Sequence, residues 1–451
     1  MNIYIHLEVS VRELDSKLLL AVIAASRGHE VIISDQESII KGLERKLLTP
    51  GIFHTKSLTP ALSKIIKHKK LINTGCKITS IDEEGGLVDY GYERFVRLRY
   101  SQKTIKQASA VFTWGPEDHK IIKKVFPNYA NKIHMTGSPR VDLWKPIFYD
   151  YWTNNYEKQT KPFLLIPSNQ GFTVSHINDR IKHLEKAEYL KKEPEFIHEI
   201  LNRESEQFKI ISCFIEAIKE LAYKNKNFNI IIRPHPSENI EIWKILLKEF
   251  PNVYVNRDDG VSVWIKNAFA ILHNGCTTAL EASFFKKPII TYAPFNAHYS
   301  RRLANDLGTK VTSINDLTKK VNEIFLDSLK KKKQKKLNEP LPKILLKKIF
   351  VDEKETAAEK TIKVWENIND RTLVKQNNWL LFKFGLKVMK FNGLLGKLFK
   401  NESKISKFSK FPPFEKYIIL KKINKLKKLL KIKQKIDCKI ISDRTILIRR
   451  K

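Results

Sequence analysis

Three short stretches combine residue types that could hold an anion and move a hydroxyl proton. The first is Arg233-Pro234-His235-Pro236, directly after an apolar run at 229–232. Arginine offers a rigid fork of donors to a phosphate, and His235 offers one hydrogen bond or, when protonated, a charge. The prolines stiffen the turn, and Pro234 biases Arg233 toward extended backbone. A rigid loop whose imidazole is satisfied by backbone is the competing reading. The second stretch is HNGCTTALEA at 273–282. Asn274 and Gly275 make a turn that lets backbone approach closely, and Thr277 and Thr278 bring hydroxyls and N–H groups to the start of a predicted helix, where an anion is favoured. Plain N-capping accounts for the same threonines. Glu281, one helical turn on, is placed either to reach the ribose hydroxyls of a nucleotide or to be a surface carboxylate. The third stretch is Asp82-Glu83-Glu84-Gly85-Gly86. Adjacent carboxylates raise the pKa of one member, which suits a general base that accepts a hydroxyl proton. An acidic surface turn is the alternative.

Each stretch follows a predicted strand. Apolar runs predict strands at 2–7, 30–34, 76–80, 111–114 and 132–136, with helices at 12–27, 60–69, 92–107 and 117–126. A second alternation places strands at 163–166, 229–232, 253–256, 268–272 and 288–292, and helices at 195–225, 240–250, 261–266 and 277–286. Strands alternating with helices predict an α/β fold of two Rossmann-like domains, whose ligands bind at the carboxyl ends of the strands. The expected division is an acceptor domain at 1–150, a nucleotide-donor domain at 160–330, a linker and return helix at 331–370, and a basic amphipathic tail at 371–451. The run KKKKQKK at 330–336 marks the edge of the second block.

A chain of 451 residues is too long for one core, and its 42% apolar content supports two domains plus extra material. Four cysteines without CxxC spacing suggest neither a zinc site nor a disulfide framework, and they fit a reducing cytoplasm. Neither a signal peptide nor a transmembrane helix is expected. The net charge of +35 is uneven: residues 371–451 hold 24 Lys and Arg against 4 Asp and Glu. Ile419, Ile423, Leu426 and Leu430 stand at helical spacing among lysines, as does the cluster WLLFKFGLKVMKF from 379. Such a stretch can lie on an anionic membrane, or pack one stripe against its own domain. A nucleic-acid binder driven by this tail is the alternative of another class, with steep salt dependence. The chain lacks the Gly-aromatic signature of an RNA-recognition sheet and any recognisable zinc finger, so no specific nucleic acid is expected.

Over residues 2–330 the order RELDSKLLLA, RGHEVIISD, DEEGG, FTWG, TGSPRVDLW, RPHPSE and HNGCTTALEA resembles the bacterial surface carbohydrate biosynthesis proteins, relatives of the glycerophosphotransferases of teichoic acid synthesis. The acid-acid-Gly, His-Pro and Ser/Thr-pair motifs resemble those of the GT-B glycosyltransferases that include bacterial sialyltransferases and capsule Kdo transferases. The resemblance implies a cleft between the two domains and Glu83 as the base, with Glu84 and Gly85 completing its motif. It further implies His235-Pro236 at the donor phosphate and Thr277-Thr278 as the hydroxyl pair. Asp82 and Gly86 extend the acidic motif, so Asp82 or Glu84 stays open as the base, and the basic tail falls outside the resemblance. The implied activity is inverting transfer from a nucleotide-sugar, a CMP-linked acidic sugar being the expected donor, to a glycan or lipid-linked glycan. Arg233, His235 and backbone N–H groups would do the work of a metal, so neither metal nor cofactor is expected. The expected location is the cytoplasm or the inner face of the cell membrane. Transfer of a CDP-linked polyol phosphate is the alternative within the same fold.

Overall fold

The run Asn2–His6 (NIYIH) is buried along its whole length, as a strand covered on both faces must be. It is β1 of a parallel sheet continued by β2 (Glu30–Ser34), β3 (Ile52–Thr55), β4 (Lys77–Ile81), β5 (Ala108–Thr113) and β6 (Ile133–Met135). The computed structural model describes residues 1–87, 92–153, 161–168, 194–235, 238–298, 303–330, 340–368, 377–398 and 411–451. The chain divides into two units, Met1–Tyr151 with Lys343–Lys451, and Trp152–Pro342.

In the first unit the parallel strands run in the order β2-β1-β3-β4-β5-β6. The chain turns to the other side of β1 when it enters β3, so the switch point lies between their carboxyl ends. His6 ends β1, Thr55 ends β3 and Ile81 ends β4 directly before the acidic triplet. Among the elements here that escaped the sequence reading are the four-residue β3 and the helix Gln36–Glu44. The single helix expected at 92–107 is two, Tyr92–Arg99 and Gln102–Gln107, because Ser101 breaks the run by accepting the Thr104 N–H at 3.2 Å as an N-cap.

The second unit holds β7 (Phe163–Pro167), β8 (Asn229–Arg233), β9 (Val253–Val255), β10 (Ala270–His273), β11 (Ile289–Tyr292) and β12 (Thr309–Val311). Their order is β12-β11-β10-β7-β8-β9, parallel throughout. Counted from β7 this is the 3-2-1-4-5-6 order of dinucleotide-binding sheets, with its switch point between β7 and β10. The long helix Phe196–Lys224 covers one face with Ile210, Phe214, Ala217, Ile218 and Leu221, a stripe at helical spacing that packs on Ile230, Ile232 and Leu272. Each unit is therefore a doubly wound, Rossmann-like α/β domain.

The C-terminal region departs from the expected separate tail. The helix Ala357–Ile368 packs on the first sheet: Asp142 accepts the N–H groups of Ala357 and Ala358, both at 3.0 Å, and Trp365 Nε1 donates to Thr79 Oγ1 at 3.0 Å. The helix Trp379–Leu398 sends Phe382 and Leu386 into the core beside Tyr4, Phe53 and Leu447. The helix Lys416–Leu429 buries Ile419, Ile423 and Leu426 and packs against the helix Ser10–Ser26, with Lys422 Nζ 2.6 Å from Asp15. The chain then forms a hairpin of β13 (Ile436–Ser442) and β14 (Thr445–Arg450), and β14 pairs antiparallel with β2 from Thr445 opposite Ser34 to Ile448 opposite Val31. Lysines hid this hairpin from a reading based on charge. Of the two readings open for the stripe on residues 416–429, packing against its own domain is the one found: Ile419, Ile423 and Leu426 are core. The expected run at 330–336 lies, after its first residue, outside the described residues.

Candidate functional site

The acidic turn after β4 separates its three carboxylates into three situations. Asp82 is buried and gripped by Arg99, with Nε 2.9 Å from one oxygen and Nη2 2.8 Å from the other. Its carbonyl accepts Trp114 Nε1 at 2.7 Å. Glu84 is half exposed, 3.7 Å from both Arg12 and Arg99. Glu83 is 7% exposed, and its oxygen lies 3.5 Å from Lys17 Nζ. The two glycines serve packing: a methyl on Gly86 would sit 2.5 Å from Trp114 Cε3, and one on Gly85 would sit 2.9 Å from Trp114 Cδ1. DEEGG and FTWG are thus one assembly, with Asp118 accepting the N–H groups of Trp114 and Gly115 at 2.7 and 2.8 Å beneath it.

Burial pushes the Glu83 carboxyl up, and the nearby charge of Glu13 adds to this, outweighing Lys17, Arg140 and Arg12. Burial acts upward on Glu13 too, but there Lys17 and Lys56 prevail and hold it below the usual carboxylate range. Burial, followed by Lys17, depresses His6 well below the ordinary imidazole value, so it is neutral. Glu83 thus combines burial with a carboxyl pushed above its ordinary range. Asp82 anchors the turn through Arg99 and Trp114, and Glu84 lies toward solvent. Glu13 and Lys17 were missed because at i, i+4 on a helix they read as an ordinary surface pair.

In the second unit the turn after β10 sits at the switch point. Gly275 adopts φ +69°, a left-handed conformation that favours glycine, and donates its N–H to Asn305 Oδ1 at 2.5 Å. Asn274 turns inward and donates to the Tyr292 carbonyl at 2.8 Å, so it builds the turn and its side chain is committed there. His273 is fully buried, and burial lowers its pKa to about 3. Its Nδ1 accepts the Cys276 N–H at 3.3 Å, which leaves Nε2 to donate to Thr291 Oγ1 at 3.3 Å. Thr277 is exposed and Thr278 half-buried. Thr277 has helical backbone and makes no side-chain capping bond to the helix Thr278–Phe284, so capping does not account for it.

Two candidates have other tasks. The Arg233 guanidinium is buried, donating at 2.6 Å to the carbonyls of both Asp258 and Asp259 and at 3.3 Å to that of Arg257, and it lies over the Trp264 ring at 5.5 Å. It fastens the 257–259 loop, which corrects its expected place at a phosphate. Glu281 is buried and accepts from Ser262 Oγ, which corrects both the ribose and the surface readings. His235 is exposed just beyond β8, and its carbonyl accepts the Glu238 N–H at 2.8 Å. Pro236 lies outside the described residues. Glu238, passed over in the sequence, is buried and ties Ser168 Oγ at 3.0 Å to Trp243 Nε1 at 2.9 Å. The turns carrying His235 and Thr277 thus follow β8 and β10, the two neighbours of β7.

No protein-family model matches the sequence, and no curated protein matches it. Solved structures are similar in fold. A UDP complex of Staphylococcus aureus MnaA is 15% identical, with 82% of this chain and 97% of that one covered at a TM-score of 0.45. UDP-GlcNAc 2-epimerase of Methanocaldococcus jannaschii, in complex with UDP-GlcNAc and UDP, is 16% identical, with 81% and 100% covered at 0.45. The wall teichoic acid polymerase TagF is 12% identical, with 70% and 71% covered at 0.39.

Proposed function

We propose that this chain is a GT-B type glycosyltransferase of bacterial surface polysaccharide assembly. The second unit takes a nucleotide-sugar, the first unit takes the acceptor, and Glu83 is the general base. The observation that carries this reading is Glu83 itself, a buried carboxylate of raised proton affinity at the carboxyl end of a parallel strand. In the reaction the acceptor oxygen attacks the anomeric carbon and its proton passes to Glu83. The bond from that carbon to the phosphate oxygen breaks, with inversion. Charge grows on the departing phosphate, where the Thr277 and Thr278 hydroxyls and the His235 imidazole are the candidate donors. One well-aimed donor contributes about 3 kcal/mol at such a position. A CMP-linked acidic sugar is the donor favoured by the motif resemblance, and no metal enters the scheme.

The acceptor is proposed to be a lipid-linked glycan met at an anionic membrane face. The support is the helix Trp379–Leu398, which exposes Leu380, Leu381 and Phe384 together with Lys383 and Lys387 while Phe382 anchors it to the core. Apolar side chains flanked by lysines suit a headgroup boundary. No helix among the described residues is long and apolar enough to cross a membrane.

The test has two stages. One of CMP, CDP, UDP or GDP should raise the melting temperature, since a ligand of the folded state stabilises it by mass action. Release of that nucleotide from its sugar conjugates should then fall by roughly 100-fold or more in Glu83→Gln, with melting preserved. Full activity in Glu83→Gln overturns the reading, and phosphorus in the product points to polyol-phosphate transfer instead.

A further inference from the structure

Glu83 shares one lysine with another carboxylate. Lys17 Nζ stands 2.6 Å from Glu13 Oε2 and 3.5 Å from Glu83 Oε1, and none of the three side chains is more than 9% exposed. One ammonium cannot neutralise two buried carboxylates, and it favours the one it reaches at hydrogen-bond distance. Glu13 collects further support: the Glu8 N–H donates to it at 3.1 Å, and Arg12 and Lys56 lie 3.7 and 3.8 Å away. Both members of the pair stand on one face of the helix Ser10–Ser26, four residues apart. Glu83 is held from the other side by its own N–H, which donates to the Lys56 carbonyl at 3.1 Å.

We propose that Glu13 and Lys17 are a positioning pair for Glu83: Glu13 holds the ammonium at 2.6 Å on its own side, so that Glu83 is left without a lysine at hydrogen-bond distance and takes the acceptor proton more readily. This rests on the reading of Glu83 as base. Before proton transfer the three buried groups sum to one negative charge, and afterwards to none. Removing a net charge from a poorly solvated site drives the proton toward Glu83. The Glu13–Lys17 pair stays neutral throughout, so it orients the base without being consumed. Among the described residues, Arg12, from the first turn of the same helix, and Arg140, from the helix Pro139–Asp142, also act on Glu83. His6, on β1, faces the cluster as a neutral ring.

The experiment is a carbon-13 NMR titration of glutamate-labelled full-length protein, with the Glu83 carboxyl assigned by Glu83→Gln. In Glu13→Gln, Lys17 is released toward Glu83 and its midpoint should fall by about one pH unit, roughly tenfold in proton affinity. In Lys17→Met the midpoint should rise by a similar amount, and the acid limb of the transfer profile should move with it in each variant. An unmoved midpoint in folded Glu13→Gln overturns the proposal, and this variant decides the matter if Lys17→Met does not fold. A midpoint that moves in a protein that transfers no sugar upholds the pair and overturns the transferase reading. An active enzyme with an unmoved midpoint does the reverse.

Discussion

Arg99 closes on Asp82 with two parallel hydrogen bonds, 2.8 and 2.9 Å long, and so fixes the turn that carries Glu83. Removing the arginine leaves a buried carboxylate without its cation. Arg99→Ala should therefore cost about 2 to 3 kcal/mol in chemical unfolding, the grip being partly solvated on the arginine side. If Asp82 rather than Glu83 were the base, Asp82→Asn would abolish transfer outright at every pH. The expected result is a smaller activity loss that follows the stability loss.

Gly86→Ala tests the union of DEEGG with FTWG. The added methyl would meet Trp114 at 2.5 Å from Cε3 and 2.8 Å from Cβ, on a ring that is itself buried. Overpacking of this kind should lower unfolding stability by about 1 to 3 kcal/mol. A neutral result in urea unfolding would show that the indole is free to move aside.

The second unit should weaken in mild acid. His273 is neutral in the fold, with its pKa depressed to about 3 by burial, whereas the unfolded chain takes the proton near pH 6.5. Because the folded value is the lower one, the stabilisation is complete above pH 6.5 and is lost as pH falls toward 3. At pH 5 the loss should be about 2 kcal/mol. Native-state hydrogen exchange of β10 and β11 amides between pH 7 and 5 measures it, and protection unchanged over that range contradicts it.

Vesicle sedimentation examines the membrane face. Leu380→Glu with Phe384→Glu replaces two exposed apolar side chains by like charges to the lipid, and should weaken binding to anionic phosphatidylglycerol vesicles by at least roughly tenfold. Unchanged binding would move the contact elsewhere on the chain.

Much of the frame could be read from runs such as NIYIH and EVIIS, whose apolar centres IYI and VII mark strands buried on both faces. Short β3, with His54 inside it, offered too little signal, and TILIRR was masked by its basic surroundings. The turns that carry Glu83 and Gly275 were legible because a turn after a strand is a local property. The destination of Arg233 was not, since an arginine aimed at a ligand and one aimed at three carbonyls look alike in sequence. The Glu13–Lys17 pair has the same ambiguity: i, i+4 spacing says the two meet, and only tertiary packing says what they meet beside.

The pairing of Ser34 with Thr445, whose hydroxyls lie 2.7 Å apart across 411 positions of chain, bears on the order of events at the ribosome. The free edge of β2 emerges early and stays open until the hairpin has been made, whereas Trp152–Pro342 is continuous and can close while synthesis continues. The nascent first unit is thus left with an unsatisfied strand edge for most of translation, the interval in which stray pairing with a neighbouring chain is most harmful.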